Sequence, residues 1–316
     1  MNDVNIGFSL KFMEVEMLQK RLGNQLVFLL MLLPGMIIVF IYNYIPMAGI
    51  IIAFQKFIPA KRLFGPQQWV GLQNFIDVFN MPQSLRAFWN TLSIASMKII
   101  FGMLVPIIIS ILLNEIKNSG LRRSIQTMIY LPNFLSWVIF SGIIIDILSP
   151  SEGIVNRIIT SLGVEPIYFL GDNRWFQITM VATDVWKNFG FATIVYLAAI
   201  TGIDPTLYEA AYIDGAKKWR CIWHITLPGM MPIIIVLATL NLGNILNAGF
   251  EQIFNLYNAQ VYETGDIIDT LVYRMGMIDA QYGLSTAVGL FKSVISFFLI
   301  STSYYLAYKF ADYRIF

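Results

Sequence analysis

Asp204-Pro205-Thr206-Leu207-Tyr208-Glu209-Ala210-Ala211-Tyr212-Ile213-Asp214-Gly215-Ala216-Lys217-Lys218-Trp219-Arg220-Cys221-Ile222-Trp223-His224-Ile225-Thr226-Leu227-Pro228 is a polar interruption between two long apolar runs. Asp204 before Pro205 makes a helix start, the carboxylate capping free N–H groups and the proline occupying the first turn. Leu207, Ala210 and Ala211 then recur at helical spacing, and the small side chains at 210 and 211 let another surface approach closely. Gly215 takes positive φ without steric cost, so the chain can turn there. Trp219, Ile222, Trp223 and Ile225 resume the helical period, which predicts a second short helix before Pro228 and Pro232 lead into the next apolar run. The unit is helix, glycine, helix, with the acid Glu209 beside two alanines. On these residues alone, an ordinary interfacial helix and a docking element fit equally well.

Outward from this loop the chain is dominated by stretches of the length that spans a bilayer, about 20 mostly apolar residues. Six qualify: Leu26–Ala53, Leu92–Leu113, Ile125–Leu148, Ile178–Ile200, Pro232–Phe250 and Ala287–Ala307. Composition agrees, with 57% hydrophobic residues and 13% charged, where soluble domains carry about 25% charged. The expected fold is therefore an all-α membrane protein, a bundle of about six transmembrane helices. Residues 1–25 are expected as a cytoplasmic N-terminal segment, and 26–316 as one membrane domain carrying the loop at 204–228. Aromatics near span ends, such as Trp69, Trp89 and Trp175, fit an interfacial belt.

An even number of spans puts both termini on one side. Eleven basic residues fall on the side of the termini and of the 204–228 loop, against seven on the other. The positive-inside rule then makes termini and loop cytoplasmic. A net charge of +2 and the lack of a basic stripe argue against nucleic acid. One cysteine, Cys221, excludes an intrachain disulfide, and one histidine, His224, leaves no histidine-based metal cluster. No Gly-x-x-x-x-Gly-Lys-Ser/Thr run exists to cradle a nucleotide, and no Ser/His/Asp set suggests catalysis.

Glu209-Ala210-Ala211, Gly215 and Ile225-x-Leu227-Pro228, at this spacing between two spans, resemble the EAA loop of binding-protein-dependent ABC importer permeases. Asp214, Ala216 and Trp223 fit the sugar-importer version. The segments Gly249–Asn258 and Asp266–Thr270 resemble carbohydrate-uptake permeases that handle oligosaccharides from polysaccharide breakdown, such as alginate or pectin oligomers. The resemblance implies the permease fold, alternating access and location in a bacterial cytoplasmic membrane. It also implies partners: a second permease, two ATPase subunits that hold ATP and Mg, and an extracytoplasmic solute-binding protein. The chain itself would carry no cofactor and no enzymatic activity. In that family the loop docks on the ATPase; Glu209 would make polar contact, Ala210 and Ala211 would give close approach, Gly215 would bend, and Asp214, Leu227 and Pro228 complete the motif. An ion-coupled secondary transporter is the alternative class, but the sequence shows no inverted repeat.

Polar groups inside spans narrow the search for a path. Asn241, Asn244 and Asn247 recur every three residues, which on a helix places them on one side. Interhelical hydrogen bonding and substrate contact both explain such amides; the resemblance favours substrate. Tyr196 and Phe250 are candidate stacking groups. Lys98 and Lys292 lie deep enough in spans to line a cavity, whereas Asp146, Asp184 and Lys187 are expected near span ends, reaching toward water.

Overall fold

The structure, a computed structural model, describes residues 26–311, with side chains through residue 305. The expectation for residues 1–25 lies outside the described residues. Helix α1 runs Leu26–Phe54, passing from α-helix through a π segment at Phe40–Tyr44 to 3₁₀ turns at Ile45–Phe54. Two short strands follow, β1 (Gln55–Lys56) and β2 (Gln68–Trp69), antiparallel with Gln55 opposite Trp69. The amphipathic helix α2 (Gln73–Asn80) then leads into α3 (Pro82–Asn114).

The next apolar stretch does not cross as one rod. Helix α4 (Ser119–Phe134, its last turn 3₁₀) and helix α5 (Trp137–Leu148) meet at 107°. This corrects the single span expected at Ile125–Leu148. Pro132 sits in the tightened turn and Ser136 caps α5, accepting from Ile139 N at 3.3 Å. Breaking a helix between apolar layers strands its last carbonyls. Lys187 meets two of them, donating to Asn133 O at 2.9 Å and Pro132 O at 3.4 Å. Lys187 is therefore buried midway along the next long helix and does not reach for water at a span end.

Helix α6 (Ile154–Ser161) is followed by the long helix α7 (Asn173–Thr201), whose N-cap Asp172 accepts from Arg174 N at 2.8 Å. The loop around α6 closes on Asn156, 1% exposed. Its amide donates to the carbonyls of Leu148, Ser149 and Ile167, and its Oδ1 accepts from Ile167 N at 2.8 Å. Ser149 O keeps the Gly153 N–H, but Asn156→Ala takes their side-chain partner from Leu148 O and from both backbone groups of Ile167, and an unsatisfied buried group costs about 1–3 kcal/mol. We expect a lower unfolding temperature for the detergent-solubilised protein, read by intrinsic fluorescence. An unchanged midpoint would assign the closure of this loop to other contacts.

α7 bends by 66° into α8 (Pro205–Ile213). After Gly215 the chain forms α9 (Lys218–Gly243), one continuous helix. The second short helix of the polar loop and the fifth span are thus a single element, ending earlier than the expected Phe250. A π segment at Ile222–Thr226 lies directly before Pro228. The widened turn relieves the clash and missing N–H that proline brings into a helix. The chain then folds back through α10 (Phe250–Leu256), a one-turn helix at Tyr262–Gly265 and α11 (Ile268–Tyr273), before α12 (Tyr282–Ala311) crosses again.

Among the described residues, four helices long and apolar enough to cross a membrane and two bent pairs give up to six crossings. α3 and α7 pack against each other at the centre. Around them Ile94, Phe140, Ile144, Phe176, Met180 and Ile253 form the largest buried cluster. Residues 26–48 of α1 are exposed throughout, as suits a helix whose neighbour is lipid or another subunit.

Candidate functional site

At one end of the bundle α8 and α9 form the two arms of the polar loop. Asp204 caps α8, accepting from Thr206 N at 2.9 Å. That backbone hydrogen bond holds the Asp204 carboxyl below its usual range, so the cap survives mild acidification and weakens only when pH falls through the lowered value. Gly215, at φ +77°, ends the arm, with Gly215 N donating to Tyr212 O and Ala216 N to Ala211 O. The left-handed residue lets two otherwise free carbonyls find donors. Across the bend the Tyr208 hydroxyl and Thr226 Oγ1 lie 3.0 Å apart, and Lys218 of α9 pairs with Glu115 at the end of α3.

Glu209, Ala210 and Asp214 face outward, as do Ile213 (86% exposed), Trp219 and Trp223. A groove of about 480 Å³ lies between the arms, lined by Ala211, Ala216, Arg220, Cys221, His224 and Ile225. His224 Nδ1 lies 3.0 Å from the Arg220 carbonyl, a contact within its own helix. Leu227 and Pro228 are built into α9 and shape its course.

At the other end of α9 the backbone leaves the helix at Gly243. Asn244 N bonds Asn241 O and Asn247 N bonds Asn244 O, so the three asparagines follow a helix end and a turn, not one regular helix face. They still converge. Asn241, Asn244 and Asn247 line one cavity of about 290 Å³ with Lys98, Asp184 and Gly249.

The wall behind the asparagines is a buried polar network. Lys98, midway along α3 and 9% exposed, donates to Ala248 O at 2.6 Å and to Gln252 Oε1, and lies 3.4 Å from Asp184. Gln252, fully buried, donates in turn to Met180 O at 2.8 Å and Thr183 Oγ1 at 2.7 Å. Gly249 adopts φ +89°, and a Cβ there would stand 3.0 Å from the Lys98 ammonium. Only glycine gives this turn its handedness while admitting the lysine so close. Asp184 therefore sits inside the bundle against an opposite charge, where a span-end position was expected. Two opposite charges at similar depth in neighbouring spans were the available signal for that pair. Gln252 carried none.

The remaining candidates lie elsewhere. Tyr196 is 1% exposed among Ile200, Met230, Ile107 and Ile111, packed between helices with no face on the cavity. Lys292 of α12 pairs with Asp269 at 2.5 Å and does not reach the asparagines. Phe250 begins just after the cavity's Gly249 and stacks on Phe254, ring centres 5.2 Å apart.

A multi-span bundle with an open polar cavity on its flank and an exposed, jointed loop at one end has the features of a membrane transport subunit. The chain belongs to the family of binding-protein-dependent transport system inner membrane components, whose model matches residues 98–315. It is thus a multi-pass permease of the inner membrane and not an enzyme, and this membership sets aside the ion-coupled alternative. Protein LplB of Bacillus subtilis (strain 168) is 43% identical over 89% of this chain and 88% of that protein. The polygalacturonan/rhamnogalacturonan transport system permease protein YteP of the same organism is 41% identical over 90% and 88%. A crystal structure of a bacterial alginate ABC transporter in complex with an alginate pentasaccharide-bound periplasmic protein contains a chain that is 37% identical. It covers 94% of this chain and 99% of that one, with a TM-score of 0.85.

Proposed function

We propose that this chain forms half of the path by which an ATP-driven importer moves oligosaccharides derived from an acidic polysaccharide into the cytoplasm. The observation that carries this is the convergence of Asn241, Asn244 and Asn247 on one cavity, at the end of the helix that begins in the Glu209–Pro228 loop. Amides supply both donors and acceptors, the chemistry that sugar hydroxyls require. The names of YteP and of the alginate transporter supply the substrate class.

In this scheme the termini and the 204–228 loop are cytoplasmic. A second permease completes the path, two ATPase subunits hold ATP and Mg, and the periplasmic binding protein delivers the sugar. ATP binding closes the ATPase pair. Glu209, Ala210, Ala211, Asp214 and Gly215 receive that motion, and α9 carries it past Leu227 and Pro228 to the asparagine turn. The cavity then alternates between two faces of the membrane, each state favoured by a different ligand.

The test is ATP-driven uptake by proteoliposomes holding the complete transporter with its binding protein. Asn244→Ala and Asn247→Ala should each lower uptake several-fold while the complex still assembles, since each removes a hydrogen bond worth about 1 kcal/mol. Normal uptake by both would reduce these amides to packing groups. If no ATPase subunit co-purifies with the chain, the importer assignment itself fails.

A further inference from the structure

Helix α10 exposes a face that suits neither lipid nor bulk water. Its buried side is Gln252, Ile253 and Leu256; the opposite side presents Phe250, Glu251, Phe254 and Asn255. The helix starts at the depth of Lys98, through the Ala248 contact. The chain beyond it reaches the level of Asn90, whose amide donates to Glu263 O and Asp266 O at 3.0 Å each. Eight residues of α3 separate those levels, about 12 Å. The face thus starts six residues inside the apolar run of α3 that begins at Leu92 and reaches toward that run's end. There an exposed carboxylate at Glu251 is costly against lipid tails, and two partly exposed phenylalanines are out of place in a purely aqueous channel.

Phe254 is 38% exposed. Its ring stacks on Phe250 and meets Tyr273 edge-on at 4.9 Å. Tyr257 and Tyr262 extend the same row, with ring centres 5.2 Å apart. Flat apolar rings interleaved with a carboxylate and an amide match a sugar, whose ring faces are C–H surfaces and whose rim is hydroxyls. Gly249 lines the asparagine cavity and Phe250 follows it in the chain, so the helix that carries this face starts at the cavity's edge. At about 290 Å³ the cavity falls just short of the roughly 300–1,000 Å³ typical of ligand sites. A chain of several sugar rings must continue beyond it.

We propose that Phe254, Tyr273 and Glu251 form a second sugar subsite of the translocation path, holding the part of an oligosaccharide that extends past Asn241–Asn247. Phe254 and Tyr273 take a pyranose face, and Glu251 accepts from its hydroxyls. The proposal rests on the cavity being a sugar path.

The experiment compares a disaccharide with a pentasaccharide from one polysaccharide, alginate or polygalacturonan, whichever series the complete reconstituted importer transports. Phe254→Ala and Phe254→Leu should cut pentasaccharide uptake roughly three- to tenfold, the worth of one aromatic contact, and leave disaccharide uptake unchanged. Phe254→Tyr should restore both, and Glu251→Gln should weaken the pentasaccharide selectively. Equal losses for both sugars with failed co-purification of the second permease would make this face a subunit interface and overturn the proposal. Unchanged uptake of both by Phe254→Ala and Phe254→Leu would overturn it as well. The underlying path is judged separately through Asn244→Ala, which should impair both sugars; if it impairs neither, the path fails regardless of Phe254.

Discussion

Lys98→Met is expected to reduce ATP-driven uptake by at least an order of magnitude, and adding Asp184→Asn is expected not to recover it. The single substitution strands Asp184 beside the cavity and leaves Ala248 O and Gln252 Oε1 without their donor. Removing one partner of a buried ion pair costs about 3–5 kcal/mol, and the lower end applies here because Asp184 keeps 22% of its exposure. Part of the loss will show as a lower unfolding temperature. The double variant removes the orphan charge and should recover that stability. What it does not replace is the ammonium that pins Ala248 and the left-handed Gly249 against α3, and so fixes where Asn244 and Asn247 point. If the double variant transports normally, Lys98 serves only to neutralise Asp184, and its positioning role is wrong. The measurement is initial uptake rate beside thermal stability for the two variants, in the intact complex.

Glu209→Lys should do the opposite, sparing the fold and severing the drive. Glu209 is exposed on α8, and surface substitutions of this kind change stability by within about 0.5 kcal/mol. In the proposed scheme Glu209 faces the ATPase, and reversed charge there would set like against like and weaken the partner contact. We expect normal yield and melting behaviour, uptake reduced at least tenfold, and ATP hydrolysis that no longer responds to sugar-loaded binding protein. Restoration by a reciprocal charge reversal in the ATPase groove would locate the contact. Uptake at the parental rate would show that the loop transmits without this carboxylate.

Much of this was legible from residue order because membrane spans are written in length and hydropathy, which need no tertiary knowledge. The loop was legible too. Asp204 and Pro205 start a helix by local chemistry, and Gly215 marks the turn its φ of +77° requires. What stayed hidden depends on contacts between distant segments. The break after Phe134 is held in part by Lys187, 54 residues beyond Asn133, which reaches its carbonyl. Hydropathy alone draws that stretch as one rod. The period-three spacing of the asparagines alone predicts one helical face. Their true arrangement depends on Gly249 and Lys98, which hold the turn from outside it. Tyr196 looked available because an aromatic in a span has no visible burial; packing against Met230 and Ile200 decided otherwise.

The merging of the loop's second arm with the fifth span has a mechanical consequence. Lys218–Gly243 is 26 residues, a rod of about 39 Å. A tilt of about 10° at its base swings its tip through roughly 7 Å, more than the width of a hydrogen bond network. Under the proposed coupling the ATPases would need only a small stroke, since leverage along one rod would enlarge it into a displacement at the asparagine cavity; the π segment at Ile222–Thr226, close before Pro228, is where the rod departs from regular α-helix.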